Sequence, residues 1–188
     1  MMKKYTDRLF LKRYNKLSKN TTRDKKFVNY YQANSILLLF ESNYTEKNPK
    51  TKEIIQSLIA DGKKVTAIGY IEKRKITSAM YPEYRITFPG DYSYFKKPSK
   101  ELIGFMNQNE YDLLIDLSKE KHIQLEYLAL YSNAKFKAGI RKSEFSIYDF
   151  ELDLNSFLEE KEANINDLEY SFLFNQILFY LKSIQTND

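Results

Sequence analysis

Residues 111–141 read YDLLIDLSKEKHIQLEYLALYSNAKFKAGIR. The first seven, YDLLIDL, have the length and apolar character of a buried strand. HIQLEYLALYSNA is apolar on most sides of a helix, and KFKAGIR returns to strand composition. Two parallel strands need a crossover of about a dozen residues, usually helical, so this stretch predicts a βαβ unit around which the remaining chain can pack.

Upstream, residues 35–40 (SILLLF) form an uninterrupted apolar run, the mark of a strand covered on both faces. Asn48 and Pro49 supply a helix cap and a first-turn proline. Ile54, Ile55, Leu58 and Ile59 then make one apolar face, and Asp61-Gly62 closes the helix. Residues 64–71 (KVTAIGYI) give a second strand, and the β-α-β spacing implies a parallel pair joined by a right-handed crossover. Between 72 and 97 the pattern weakens: 84–88 (YRITF) reads as a short edge strand within a segment punctuated by Pro82, Pro89, Gly90 and Pro98. A helix over 99–109 leads into the 111–117 strand. Downstream, 136–140 is a strand and 145–154 alternates as an edge strand with one wet face. Residues 156–166 form an acidic connector, and a helix over 167–184 covers one sheet face. The predicted fold is α/β: a single Rossmann-like three-layer domain with a mostly parallel sheet over 35–188, preceded by a basic helical arm over 1–34.

The 188-residue length suits one core rather than two. With no cysteine, disulfides, iron–sulfur clusters, thiolate zinc sites and cysteine nucleophiles are excluded together. A charged N-terminus, and no apolar run long enough to span a bilayer, predict a cytoplasmic protein without a membrane partner. The net charge of +5 is divided unevenly. Residues 1–34 carry ten Lys or Arg against Asp7 and Asp24, so the arm is +8 and the remainder −3. Lys4, Arg8, Lys12, Lys16 and Lys19 recur every three to four residues and form one helical stripe. Tyr5, Leu9, Phe10, Tyr14 and Leu17 make the neighbouring apolar strip. Like charges at this spacing repel, and phosphates beside them would relieve the repulsion. The sequence therefore predicts a non-catalytic protein whose arm contacts RNA or a ribonucleoprotein such as the ribosome. The competing reading is a solvated charged face on a helix that docks through its apolar strip.

The second functional expectation is a small-molecule site. In open parallel sheets ligands lie beyond the carboxyl ends of the strands, which gathers Glu41, Ser42, Asn43, Asp116, Ser118 and Arg141 as a candidate pocket for a nucleotide or sugar phosphate. Glu41 and Asp116, if adjacent, could act as an acid/base pair or share a magnesium ion. Strand-end polar groups of this kind more often cap helices and satisfy loop backbone, and that is the favoured reading. No catalytic residue, metal site or cofactor is assigned. His122 is the single histidine, expected in the first turn of its helix without a catalytic role. GxGxxG, GxxxxGK[ST] and GxSxG are all missing. Asp149, Glu151 and Asp153 alternate on one strand face and read as a solvated edge.

YDLLIDL, the leucine-rich helix and SNAKFKAGI together resemble a stretch in the first domain of heptosyltransferase-type GT-B glycosyltransferases. The order SILLLF, DGKKV, YDLLID and residues 134–139 is similar to a family of uncharacterised small proteins from Bacteroidetes. The first resemblance implies a Rossmann-like fold. It does not imply transferase activity, because Glu41-Ser42-Asn43-Tyr44 stands where those enzymes carry a glycine-aspartate loop, and their sugar-nucleotide domain has no counterpart here.

Overall fold

β1 (Ser35–Glu41) runs through the middle of a six-stranded sheet and exposes no side chain between Ile36 and Phe40. The computed structural model describes residues 2–20, 23–42, 48–72, 84–142 and 147–184, with side chains of the first helix described over 5–17. The other strands are β2 (Lys64–Tyr70), β3 (Arg85–Thr87), β4 (Glu110–Asp116), β5 (Asn133–Ile140) and β6 (Phe150–Leu152). Their order is β3-β2-β1-β4-β5-β6, and every neighbouring pair is parallel. This is the doubly wound order, in which the chain reverses its direction of growth between β1 and β4.

Strand alternation divides the core in two. Ile36, Leu38 and Phe40 of β1, with Leu113 and Ile115 of β4, face one cluster. There they meet Ile54, Ile55 and Leu58 of α2 (Pro49–Ala60), and Leu173, Ile177 and Leu181 of α6 (Tyr170–Ser183). Leu37, Leu39 and Leu114 face the other side. They pack on Leu102 and Met106 of α3 (Lys100–Gln108), and on Leu125, Leu128 and Ala129 of α4 (Ile123–Tyr131). Each fully buried Leu or Ile contributes about 1.5–3 kcal/mol, so a strand buried on both faces specifies its own position at the centre of the sheet. The expected three-layer Rossmann-like domain is present, with a sheet that is parallel throughout.

Local signals account for several boundaries. Gly62 takes φ 77 after α2, and the Gly62 and Lys63 amides donate to Ile59 and Leu58 carbonyls, a Schellman closure. Asn48 occupies the N-cap position of α2, as expected, and its carbonyl accepts from the Lys52 amide, but it adopts a left-handed backbone and its side chain makes no capping bond. Its side-chain amide donates to Ser42 Oγ at 2.9 Å instead. The expected acidic connector contains the short helix α5 (Asn155–Glu160). The predicted 145–154 strand is confined to Phe150–Leu152 of β6, and residues 145 and 146 lie outside the described residues.

The basic arm is packed on the body. In α1 (Met2–Asn20), Phe10 is buried and meets Tyr127 of α4 edge-on at 4.8 Å. Asp7 pairs with Lys121 at 3.7 Å. Further along, the Lys26 amide donates to the Lys135 carbonyl, and Val28, Tyr30 and Ala33 enter the core. The docking half of the competing expectation is therefore seen, through Phe10 of the apolar strip. Among the described residues, no helix is long and apolar enough to cross a membrane.

Candidate functional site

The carboxyl ends of β1 and β4 carry two separate polar networks. Glu41 ends β1 and is gripped from three directions. Its Oε1 accepts from Tyr170 Oη at 2.8 Å and the Lys119 amide at 3.2 Å, while Oε2 accepts from the Glu120 amide at 3.2 Å and lies 3.1 Å from His122 Nε2. Burial alone would raise the Glu41 carboxyl; hydrogen bonds from His122, Tyr170 and the two amides outweigh it and hold the group below its ordinary 4.5. Burial, with the Glu41 charge beside it, pushes the Tyr170 phenol far upward. A cleft of about 520 Å³ opens here, walled by Glu41, Glu72, Glu120, Glu169, Lys50 and Lys119 among others.

Asp116 ends β4 with no exposed surface. Its Oδ1 accepts from the Ser118 amide at 2.8 Å and Ser118 Oγ at 2.6 Å. Its Oδ2 takes Lys142 Nζ at 2.9 Å and the Tyr148 hydroxyl. Lys142 Nζ is also 2.6 Å from Ser118 Oγ, and its side chain is only 6% exposed. Gly139 is the register partner of Asp116, and a Cβ there would come within 3.0 Å of the Tyr148 ring, so glycine leaves the room through which Tyr148 reaches the carboxylate.

The predicted pocket is thereby divided. Glu41 and Ser42 line the 520 Å³ cleft, whereas Asp116 and Ser118 satisfy each other and Lys142 below the surface. Arg141 forms a surface pair with Asp153 at 3.0 Å, and Asn43 lies outside the described residues. Among the described residues Glu41 and Asp116 have no hydrogen-bond donor in common, so the acid/base and magnesium readings gain no geometry. Among the described residues, no cluster of three carboxylates or imidazoles is placed to hold a metal. His122 stands at the N-cap of α4, one residue before its first turn, with its ring turned to Glu41. Sequence reading missed Tyr170 and Tyr148 as members of these networks because each lies far along the chain from the carboxylate it serves.

Because Glu41 is held low, its contribution to stability is present above pH 4.5 and is lost as pH falls through the depressed folded value. Glu41→Gln keeps one acceptor oxygen and loses the other. It should cost about 1–3 kcal/mol at neutral pH, with the difference from the parent protein shrinking toward pH 3, as read by urea unfolding. An equal deficit at both pH values would remove the charge from that account.

A further cleft lies where α1 packs on Tyr127 of α4. Lys12, Arg13 and Lys16 of α1 converge with Lys97 on a cleft of about 290 Å³ that also includes Phe95 and Tyr127. Among the described residues no carboxylate lines it, and none of the four cations forms an ion pair. Burial, then the Arg13 and Lys100 charges, lower the Lys97 ammonium from its usual range. Lys97 closes a tight loop: the Ser93 amide donates to its carbonyl at 2.8 Å, and Tyr92 bridges Pro98. The loop displays Tyr94, 72% exposed, and Phe95, whose ring is 5.3 Å from Tyr94 and 5.7 Å from Tyr5 of α1. Of the predicted stripe, Arg8, Lys12 and Lys16 are exposed; the side chains of Lys4 and Lys19 lie outside the described residues. Arg13, Lys97 and the two loop aromatics were not singled out from sequence, since nothing local marks 93–97 as a neighbour of α1.

The profile of a family of unknown function, DUF6913, matches residues 7–184. The chain belongs to this family. The match begins within α1, so the family includes most of the docked arm as well as the sheet. No curated protein and no solved structure matches the chain.

Proposed function

We propose that this DUF6913 member is a non-catalytic binding protein for single-stranded RNA, free or as part of a ribonucleoprotein such as the ribosome. The cleft of Lys12, Arg13, Lys16 and Lys97 carries the reading: among the described residues no carboxylate lines it, and Phe95 at its edge continues to the exposed rings of Tyr94 and Tyr5, which line a neighbouring pocket with Asp7, Glu72 and Glu120. Crowded ammonium and guanidinium groups repel one another, and a phosphate backbone replaces that repulsion with attraction. Bases of a single strand stack on exposed aromatic side chains whatever their identity, each adding about 1–3 kcal/mol. A cationic channel beside a stacking platform is the arrangement that single strands require, whereas duplex would hide its base faces.

The second reading, a nucleotide or sugar phosphate at the strand ends, is favoured by the 520 Å³ cleft at the sheet's reversal point. Glu41, Glu72, Glu120 and Glu169 in its walls oppose a phosphate. No comparison bears out the resemblance to heptosyltransferases, so this reading draws nothing from it.

Fluorescence anisotropy with a labelled single-stranded RNA tests the first reading. If Arg8, Lys12, Arg13, Lys16 and Lys97 neutralise about five phosphates, raising salt from roughly 50 to 200 mM should weaken binding on the order of a hundredfold. Lys12→Glu with Lys16→Glu should weaken it by a comparable factor at low salt and flatten the salt dependence. Binding that survives both, or appears only for nucleotides, would leave the strand-end cleft as the site to pursue.

A further inference from the structure

A cavity of about 410 Å³ lies between the end of α1, the extended residues after it and β5. Its wall contains Arg23, Lys25, Lys137, Asp149, Tyr131 and Tyr148. Asp149 was expected on a solvated edge, but its side chain is only 5% exposed. It takes Arg23 Nη2 at 2.7 Å, Lys25 Nζ at 2.9 Å and the Lys137 amide at 2.9 Å. Two cations thus share one carboxylate, and the cavity has positive charge to spare before Lys137 is counted. Lys137 projects from β5, is 4% exposed, and has one Nζ hydrogen directed to the Ala129 carbonyl at 2.6 Å.

We infer that this cavity is a covalent binding site for a small carbonyl compound bearing a carboxylate or phosphate, captured as an imine by Lys137 with its anionic group on Arg23 and Lys25. Burial, with the Arg23 charge beside it and Asp149 opposing, pushes the Lys137 ammonium down to about 7. Desolvation next to another cation is how lysines become nucleophilic at neutral pH. The neutral amine adds its lone pair to the carbonyl carbon, and a proton passes from that nitrogen to the carbonyl oxygen to give a carbinolamine. The nitrogen then releases a proton as the hydroxyl leaves protonated, as water, so amine and carbonyl become imine and water. No oxidant or cofactor is needed. The Ala129 carbonyl fixes the direction of the amine before attack, and that hydrogen bond is given up when the imine forms. This site is separate from the cationic cleft, and its failure would leave the RNA reading unaffected.

The test uses the full chain at pH 7 with glyoxylate as the probe and cyanoborohydride to trap the imine, followed by mass-spectrometric peptide mapping. Lys137 should acquire the adduct at least about tenfold faster than the exposed Lys50 and Lys64, which serve as references within the same molecule. Lys137→Met should remove the fast adduct. Arg23→Gln, or the uncharged probe propionaldehyde, should shrink the lead of Lys137 severalfold. Because the map of the unmodified sequence is decisive, the result does not depend on any variant folding. Labelling of Lys137 no faster than Lys50 and Lys64 would overturn the site, and equal preference for the two aldehydes would overturn its anionic ligand.

Discussion

Asp116→Ala should destabilise the protein by about 3–5 kcal/mol, because it removes one partner of a buried ion pair and leaves the other without compensation. Asp116 has no exposed surface and the Lys142 side chain is 6% exposed. Three further donors, the Ser118 amide, Ser118 Oγ and the Tyr148 hydroxyl, lose their acceptor at the same time. Asp116→Asn separates charge from hydrogen bonding: it keeps an acceptor for Ser118 but no longer neutralises Lys142, so its cost should be smaller yet still above about 1 kcal/mol. Urea unfolding of the three proteins gives both numbers. The same pair of variants bears on function. A carboxylate that acts on a ligand would change ligand binding with little change in stability; one that ties β4 to Lys142 and Tyr148 does the reverse. A loss below about 1 kcal/mol for Asp116→Ala would therefore reopen the strand-end pocket as a site of chemistry.

The parts of the fold that were legible in sequence are those in which the evidence is local. SILLLF and YDLLIDL are apolar without alternation because β1 and β4 are covered on both sides, and that burial is what makes them central neighbours. Asp61-Gly62 marks a helix end because φ 77 at residue 62 suits a residue without Cβ. Local pattern misleads where the partner comes from far along the chain. Asp149, Glu151 and Asp153 alternate as a wet edge would, yet Asp149 is tucked against Arg23, 126 residues earlier. Glu41 likewise meets Tyr170 across 129 positions. The stripe in α1 was visible as periodicity, but its completion by Lys97 and Phe95 depends on Phe10 docking against Tyr127, which spacing alone does not reveal. Candidate site residues chosen by topology had the same weakness: strand order names which ends are near one another and says nothing about which side chains are already occupied.

Glu126→Gln should make the protein more stable at pH 8 by up to about 3 kcal/mol and leave it nearly unchanged at pH 4. Glu126 sits on the buried face of α4, 7% exposed, and among the described residues its Oε2 has no hydrogen-bond partner. Burial raises its carboxyl to about 7; Lys121 and Lys142 pull downward, while Asp116 and Asp7 of α1 push further up. The unfolded chain releases this proton near 4.5 while the folded protein keeps it to about 7, so stability falls across that interval and the deficit is complete above it. Glutamine carries no charge at any of these pH values and avoids the deficit. Unfolding by urea at pH 4 and pH 8 reads the gap directly, and a variant whose advantage is the same at both would place the gain in packing rather than in the buried charge. Since Asp7 and Lys121 join α1 to the segment before α4, the ionisation of Glu126 acts on the seating of the arm as well as on global stability. Hydrogen exchange along α1 in the parent protein should therefore quicken from pH 5 to pH 8 beyond the intrinsic rise, and Glu126→Gln should abolish that excess.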